Sequence, residues 1–234
     1  MPPSEPSAPI AAIVDYGMGN LFSVKRACES VGLHAAVTSS QEDVLRAEVV
    51  ILPGVGAFGD AMDALRSLGL VDALHESVRR GKLLVGVCLG LQLLMDESEE
   101  FGCHRGLGLI PGDVVRLDPR TESGRMLKVP QVGWNRIFKT SAQSSWEETL
   151  LQGIDEGAYM YFVHSFRVRP ADPGVVLSTT RYGLSEFCSS IRRGNIFGCQ
   201  FHPERSASHG LQLYQNLATQ LVRSTPVEVQ PCRP

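Results

Sequence analysis

Cys88 stands in Gly86-Val87-Cys88-Leu89-Gly90, directly after an apolar run over 83–87 and directly before a helical pattern. That is the form of a nucleophile elbow with sulfur in place of a hydroxyl: a buried strand delivers the residue to a sharp turn, and a helix leads away. The flanking glycines have no Cβ, so strand and helix can crowd together and the backbone at the cysteine can take a strained conformation. A helix starting beside the sulfur would aim free N–H groups and a positive dipole end at it, which favours the nucleophilic thiolate. Most free cysteines are small buried residues, so a catalytic reading needs a base and a group that orients it. His202-Pro203-Glu204 offers both. Residues 196–201 read as a strand, Pro203 stops its ladder, and residues 202 and 204 share one side of an extended chain. A carboxylate on one imidazole nitrogen leaves the other to face Cys88, the logic of a Cys–His–acid triad. The bland alternative for His202 is a surface histidine at a strand end.

These residues need a scaffold. Apolar runs at 10–14, 34–38, 49–52 and 82–87 read as strands. Between them lie helical stripes: Val24, Ala27, Cys28 and Val31 closing at Gly32; Phe58, Ala61, Met62, Leu65 and Leu68; and 71–80, with Ser39 or Ser40 placed to cap the turn before 44–47. Strands alternating with helices predict an α/β fold of three layers, a mostly parallel central sheet with helices on both faces. In such sheets, sites form beyond the carboxyl ends of the strands, so the loops after the first, third and fourth strands face the crevice that holds Cys88. The turn Asp15–Asn20 carries two glycines without the G-x-G-x-x-G spacing, which favours a packing turn over a phosphate cradle. Beyond Gly106, the segments 107–117, 129–138, 159–168, 175–181, 186–192 and 196–201 predict a mixed or antiparallel extension of the sheet, with a hairpin-like turn at 192–195. A last amphipathic helix spans 208–222. The expected organisation is a disordered extension over 1–9, one domain over 10–223 and a disordered tail over 224–234.

Composition narrows the function classes. Of 234 residues, 43% are hydrophobic and 20% charged, and the net charge of -3 gives no reason for a polyanionic partner. No basic block is present, so no nucleic-acid partner is expected. No apolar run approaches the ~20 residues of a membrane helix. The Pro/Ser-rich start lacks the marks of a secretory signal, and the six cysteines are scattered with no C-x-x-C pair. Both features point to free thiols and a cytoplasmic setting. Cys199 with His202, or Cys103 with His104, lacks a second pair at zinc spacing, so no metal is expected.

G-V-C-L-G-L-Q together with Q-F-H-P-E resembles the class I, triad-type glutamine amidotransferases. Within that family, D-Y-G-M-G-N, P-G-V-G-A-F-G, G-W-N and Y-F-V-H-S-F are similar to the glutaminase subunits of histidine biosynthesis. The resemblance implies that Cys88 attacks the side-chain amide of glutamine, that His202 moves the proton, and that Glu204 orients His202. It implies an oxyanion hole of the Leu89 N–H and a donor from the Pro53–Gly56 loop, at Gly54 or Val55. Gln92, Glu100 and the stretch His164-Ser165-Phe166 correspond to substrate contacts; Glu100 reads equally well as a solvated acid. Ammonia would pass to a (β/α)8-barrel cyclase subunit, with Asn20, Tyr161 and Arg205 at the partner interface and no cofactor. The chain departs from the family at Gln131-Val132 (usually His-Met), Phe166 (usually Tyr) and Arg205 (usually Lys). Competing readings are a glutaminase feeding another acceptor, such as pyridoxal phosphate synthase, a γ-glutamyl peptide hydrolase, and a non-catalytic scaffold.

Overall fold

The structure is a computed structural model that describes residues 11–118, 120–121, 123–141 and 145–224. Ile10, Cys232 and the two terminal extensions named above lie outside the described residues, apart from Ser224. The first half of the chain runs β1 (Ala11–Val14), α1 (Leu21–Ser30), β2 (Ala35–Thr38), α2 (Gln41–Arg46), β3 (Val49–Gly54), α3 (Phe58–Ser67), α4 (Leu70–Arg79), β4 (Leu83–Cys88) and α5 (Leu89–Leu93). The second half continues β5 (Glu97–Ser98), β6 (His104–Arg105), β7 (Gly112–Arg116), β8 (Gln131–Arg136), β9 (Phe138–Lys139), β10 (Tyr159–His164) and β11 (Phe166–Pro170). It closes with β12 (Val176–Tyr182), β13 (Ser185–Arg193), β14 (Ile196–Cys199) and α6 (Ala207–Ser224).

The central sheet has eight strands in the order β2-β1-β3-β4-β14-β13-β12-β9. From β2 to β14 neighbours run parallel, and from β14 to β9 they run antiparallel. Buried strands of this kind alternate between two cores. Ala11, Ile13, Ile51, Val85 and Phe197 face α1 and α6, through Val24, Cys28, Leu213 and Leu217. Ala12, Val14, Val50, Leu52 and Leu84 face α2, α3 and α4, through Val44, Met62, Leu65 and Leu74. Helices therefore cover both faces, as the alternating pattern of the sequence requires.

Two differences from the sequence reading matter. The antiparallel extension is made by β12, β13, β14 and β9 only; β8 pairs with β10, and β11, β7, β5 and β6 form a further sheet. These two small sheets continue the two cores, since Met160 and Phe162 join one and Val114 and Val168 the other. Leu68, placed on the apolar face of the third helix, is instead its C-cap and is 39% exposed. Gly69, at φ +66°, turns the chain into α4 before Leu68 can reach the core.

Candidate active site

β4 delivers Cys88 to the carboxyl edge of the sheet at φ 56° and ψ -108°. A non-glycine residue there is strained by about 1–3 kcal/mol, which the surroundings must impose. They do so by close packing that only glycine permits. A Cβ on Gly86 would lie 2.8 Å from the Gly90 carbonyl oxygen, and one on Gly90 would strike the Leu52 carbonyl oxygen on β3. The helix that follows is shorter than the pattern suggests. α5 holds five residues, so its dipole is a fraction of that of a long helix. Side-chain and backbone partners surround the sulfur as well: Gln200 Nε2 donates to Sγ at 3.7 Å, and Sγ lies 3.7 Å from the Val163 carbonyl oxygen.

β14 lies beside β4 in parallel register, with Cys199 opposite Val87, so the chain leaving β14 arrives next to the elbow. His202 is braced by its backbone. Its N–H donates to the Tyr161 carbonyl at 2.8 Å, and its carbonyl accepts from Ser206 Oγ at 2.6 Å. Ser206 Oγ in turn accepts from the Tyr161 N–H at 3.0 Å. His202 Nδ1 lies 2.8 Å from Glu204 Oε1, with both side chains buried. Residues 202 and 204 do meet, but not along an extended chain. β14 ends at Cys199, and a 3-10 turn over Pro203–Arg205 folds the carboxylate back onto the ring.

His202 Nε2 is buried with no hydrogen bond of regular geometry, yet it lies close enough to Cys88 to respond to the sulfur. Burial opposes the imidazolium, but the electrostatic and hydrogen-bonding interactions with Cys88 outweigh it. Glu204 adds to the effect, and the pKa rises to about 10. The arrangement sets an imidazole between a sulfur and a carboxylate, able to protonate a leaving group as well as to accept from a thiol.

Gly54 and Gln92, among the other residues singled out from the sequence, flank this centre. Gly54 ends β3 directly opposite Cys88 in the ladder, so the 53–56 loop flanks the sulfur on one side and Leu89 follows it on the other. Gly56 adopts φ +110°. Gln92 is turned inward, with Nε2 donating to the Phe166 carbonyl at 3.0 Å and to Gln200 Oε1 at 3.1 Å. Glu100 Oε2 accepts from the Phe58 N–H at 2.8 Å, which places its charge on the N-terminus of α3, just beyond the loop.

His164 Nδ1 donates to the Phe166 carbonyl at 2.8 Å. Burial chiefly, eased by that bond and reinforced by the charge of His202, lowers its pKa to about 4. The carbonyl of Ser165 accepts from Leu117. Asn20 caps α1 through its side chain. Arg205 lies over the Tyr161 ring at 4.5 Å, and Trp134 meets that ring edge-on at 6.0 Å. Among the described residues, no group of three or more His, Cys, Asp or Glu side chains is placed to hold a metal.

Gln200 is the residue that sequence reasoning passed over. It is fully buried and links the sulfur to Gln92. Its signal was its i, i+2 spacing from His202, the same spacing used to pair His202 with Glu204.

A cysteine at a strained elbow, with a histidine–glutamate pair at the end of the neighbouring strand, is an arrangement that can cleave amides or esters on an α/β sheet. Residues 12–221 match the family model for glutamine amidotransferase class-I. The fold is that of a solved glutamine amidotransferase (TM-score 0.67, 20% identity, covering 91% of this chain and 99% of that one). It is also that of PurLQS from Thermotoga maritima (TM-score 0.65, 21% identity, 92% and 99%). The chain is 46% identical over 217 residues to the imidazole glycerol phosphate synthase subunit HisH of Rhodopirellula baltica, covering 93% of this chain and 98% of that protein. It is 47% identical over 205 residues to the same subunit of Syntrophotalea carbinolica, covering 87% and 97%. The chain belongs to the class-I glutamine amidotransferases and, within them, to the family of HisH subunits.

Proposed function

We propose that this chain is the glutaminase subunit of an imidazole glycerol phosphate synthase, producing ammonia from glutamine for histidine biosynthesis. The observation that carries the reading is the Cys88–His202–Glu204 line in a chain that matches HisH relatives over nearly their whole length. The Cys88 thiolate attacks the side-chain carbonyl carbon of glutamine, and the carbonyl oxygen takes up negative charge. The N–H of Leu89 and a donor from Gly54 or Val55 meet that oxyanion. Collapse of the tetrahedral species breaks the C–N bond, and ammonia leaves with the proton that His202 supplies. Water then attacks the γ-glutamyl thioester, His202 takes the water's proton, and glutamate departs as the thiolate re-forms. Glu204 keeps the ring oriented and favours its charged form throughout.

Gln92, Glu100 and the backbone of 164–166 hold the substrate. Ammonia passes to a (β/α)8-barrel cyclase subunit, whose products are imidazole glycerol phosphate and an aminoimidazole carboxamide ribotide. That partner docks over Asn20, Tyr161 and Arg205. The second oxyanion donor comes into position only when the partner is bound and loaded. The reaction takes place in the cytoplasm, a setting supported by the free thiols of Cys28, Cys88, Cys103, Cys188 and Cys199. Glutamate release by the chain alone and with a purified cyclase subunit tests the reading. Release that depends on the cyclase is expected, and vigorous turnover by the isolated chain would rule out the coupling.

A further inference from the structure

The oxyanion loop has a support that comes from outside its own strand. Tyr16 lies in the turn after β1 and is buried. Its hydroxyl donates to the carbonyl of Pro53 at 2.7 Å, across 37 residues of sequence. That hydroxyl also sits where a Cβ on Gly54 would have to go, and on its other side such a Cβ would lie 2.9 Å from Leu89 Cβ. Gly54 is therefore held between the Tyr16 hydroxyl and the residue that follows the nucleophile. Tyr16 spends its one donor on a backbone carbonyl in the loop flanking the sulfur. A hydrophobic core position would be filled equally well by phenylalanine, and a phenol is buried at a cost unless its hydroxyl is used.

We propose that Tyr16 is a positioning residue for the oxyanion hole: its hydroxyl pins the Pro53–Gly54 peptide, so that any reorientation of the loop is confined to the peptides that follow, Gly54–Val55 and Val55–Gly56. The inference rests on the glutaminase reading given above. Without the bond, the loop keeps its sequence and its glycines, but the donor it contributes spends less time where the oxyanion forms. The interaction is made with charge that develops in the transition state, so its loss falls on kcat and leaves ground-state binding of glutamine largely untouched. Removing an oxyanion donor outright costs about 10²–10³ in kcat. Loosening one is expected to cost about tenfold, the equivalent of one ordinary hydrogen bond.

The test uses the complex of the full chain with a cyclase subunit. Tyr16→Phe keeps the ring and removes the hydroxyl, and the loss of a single neutral hydrogen bond leaves the fold intact. Expected are a fall in kcat for glutamine hydrolysis of about tenfold and a KM within about twofold of wild type. Inhibition by glutamate γ-semialdehyde, whose adduct with Cys88 carries the oxyanion, should weaken by a similar factor while glutamate binding stays unchanged. Position-specific 3-fluorotyrosine, which keeps the donor, is expected to retain kcat within about twofold. A lowered melting temperature with kcat and aldehyde inhibition unchanged would make Tyr16 merely structural and overturn the proposal. A wild-type complex with no glutaminase activity would overturn the functional reading, and this proposal with it; Tyr16→Phe equal to wild type overturns this proposal alone.

Discussion

Lowering the pH from about 7.5 to about 5 should cost the folded chain about 2 kcal/mol through His164 alone. The imidazole is enclosed by the Phe162 and Phe187 rings, with centroids 5.8 and 5.0 Å away. Its Nδ1 proton is committed to the Phe166 carbonyl. Its Nε2 is buried without a partner, so a second proton would enter an apolar site with nothing to receive it. Burial, with His202 adding like charge, thus takes the pKa from 6.5 to about 4. Between those values the unfolded chain binds the extra proton and the folded chain does not. Stability is accordingly complete above about pH 6.5 and falls as the pH drops toward 4. His202 works in the opposite direction: its folded pKa is raised to about 10, so its contribution is complete below about pH 6.5 and is lost as the pH climbs through 10. Wild type should be most stable near neutrality and decline on both sides. Urea titrations of wild type and His164→Gln at about pH 5 and pH 7.5 isolate the term, because the other titrating groups are common to both proteins. The pH dependence of the variant should be about 2 kcal/mol shallower over that interval. Equal dependence in the two proteins would refute the assignment of His164 as a neutral, Nε2-unpaired histidine.

Other substitutions test the geometry piece by piece. Gly90→Ala drives a methyl into the Leu52 carbonyl and should destabilise by about 3 kcal/mol, with loss of glutaminase activity; a thermal melt close to wild type would contradict the packing of the elbow. Glu204→Gln keeps a group able to accept from Nδ1 but removes the charge, so the His202 pKa should fall and kcat/KM should drop about a hundredfold. Histidine NMR titration with steady-state kinetics reads both, and an unchanged His202 titration would take Glu204 out of the proposed triad. Arg205→Ala deletes the cation over Tyr161, an interaction of about 0.5–1 kcal/mol. It should weaken cyclase binding severalfold in calorimetry, and unaltered affinity would take Arg205 out of the proposed interface.

How much of this could be read from residues alone differs between the halves of the chain. β1 to β4 announced themselves because buried parallel strands are continuous apolar runs, and α1, α3 and α4 carry apolar stripes; α2, six residues with Val44 alone buried, carries none and reads as a turn. The elbow was legible for a related reason: Gly86 and Gly90 leave a mark that only close backbone packing explains. The later strands were visible as strands, but their partners were not. Alternation gives the faces of β8 and β10 without saying that they pair with each other and leave the main sheet, since strand pairing depends on contacts distant in sequence. His202 and Glu204 were legible as a pair, although a 3-10 turn over Pro203–Arg205 brings them together. The roles of Gln200 and Tyr16 depend on hydrogen bonds to residues 112 and 37 positions away, and nothing in their immediate sequence specifies those partners.

In the proposed reaction it is the sulfur of Cys88 that forms the bond to glutamine. The most direct test of that step is glutamate release by the complex with a cyclase subunit, compared between wild type and Cys88→Ala. Mass spectrometry of wild type treated with a glutamine-mimicking electrophile locates the modified residue in the same experiment. Glutamate release abolished by the substitution, with a stoichiometric label on Cys88, is the expected result. Turnover surviving in Cys88→Ala, or a label spread over the other cysteines, would contradict it.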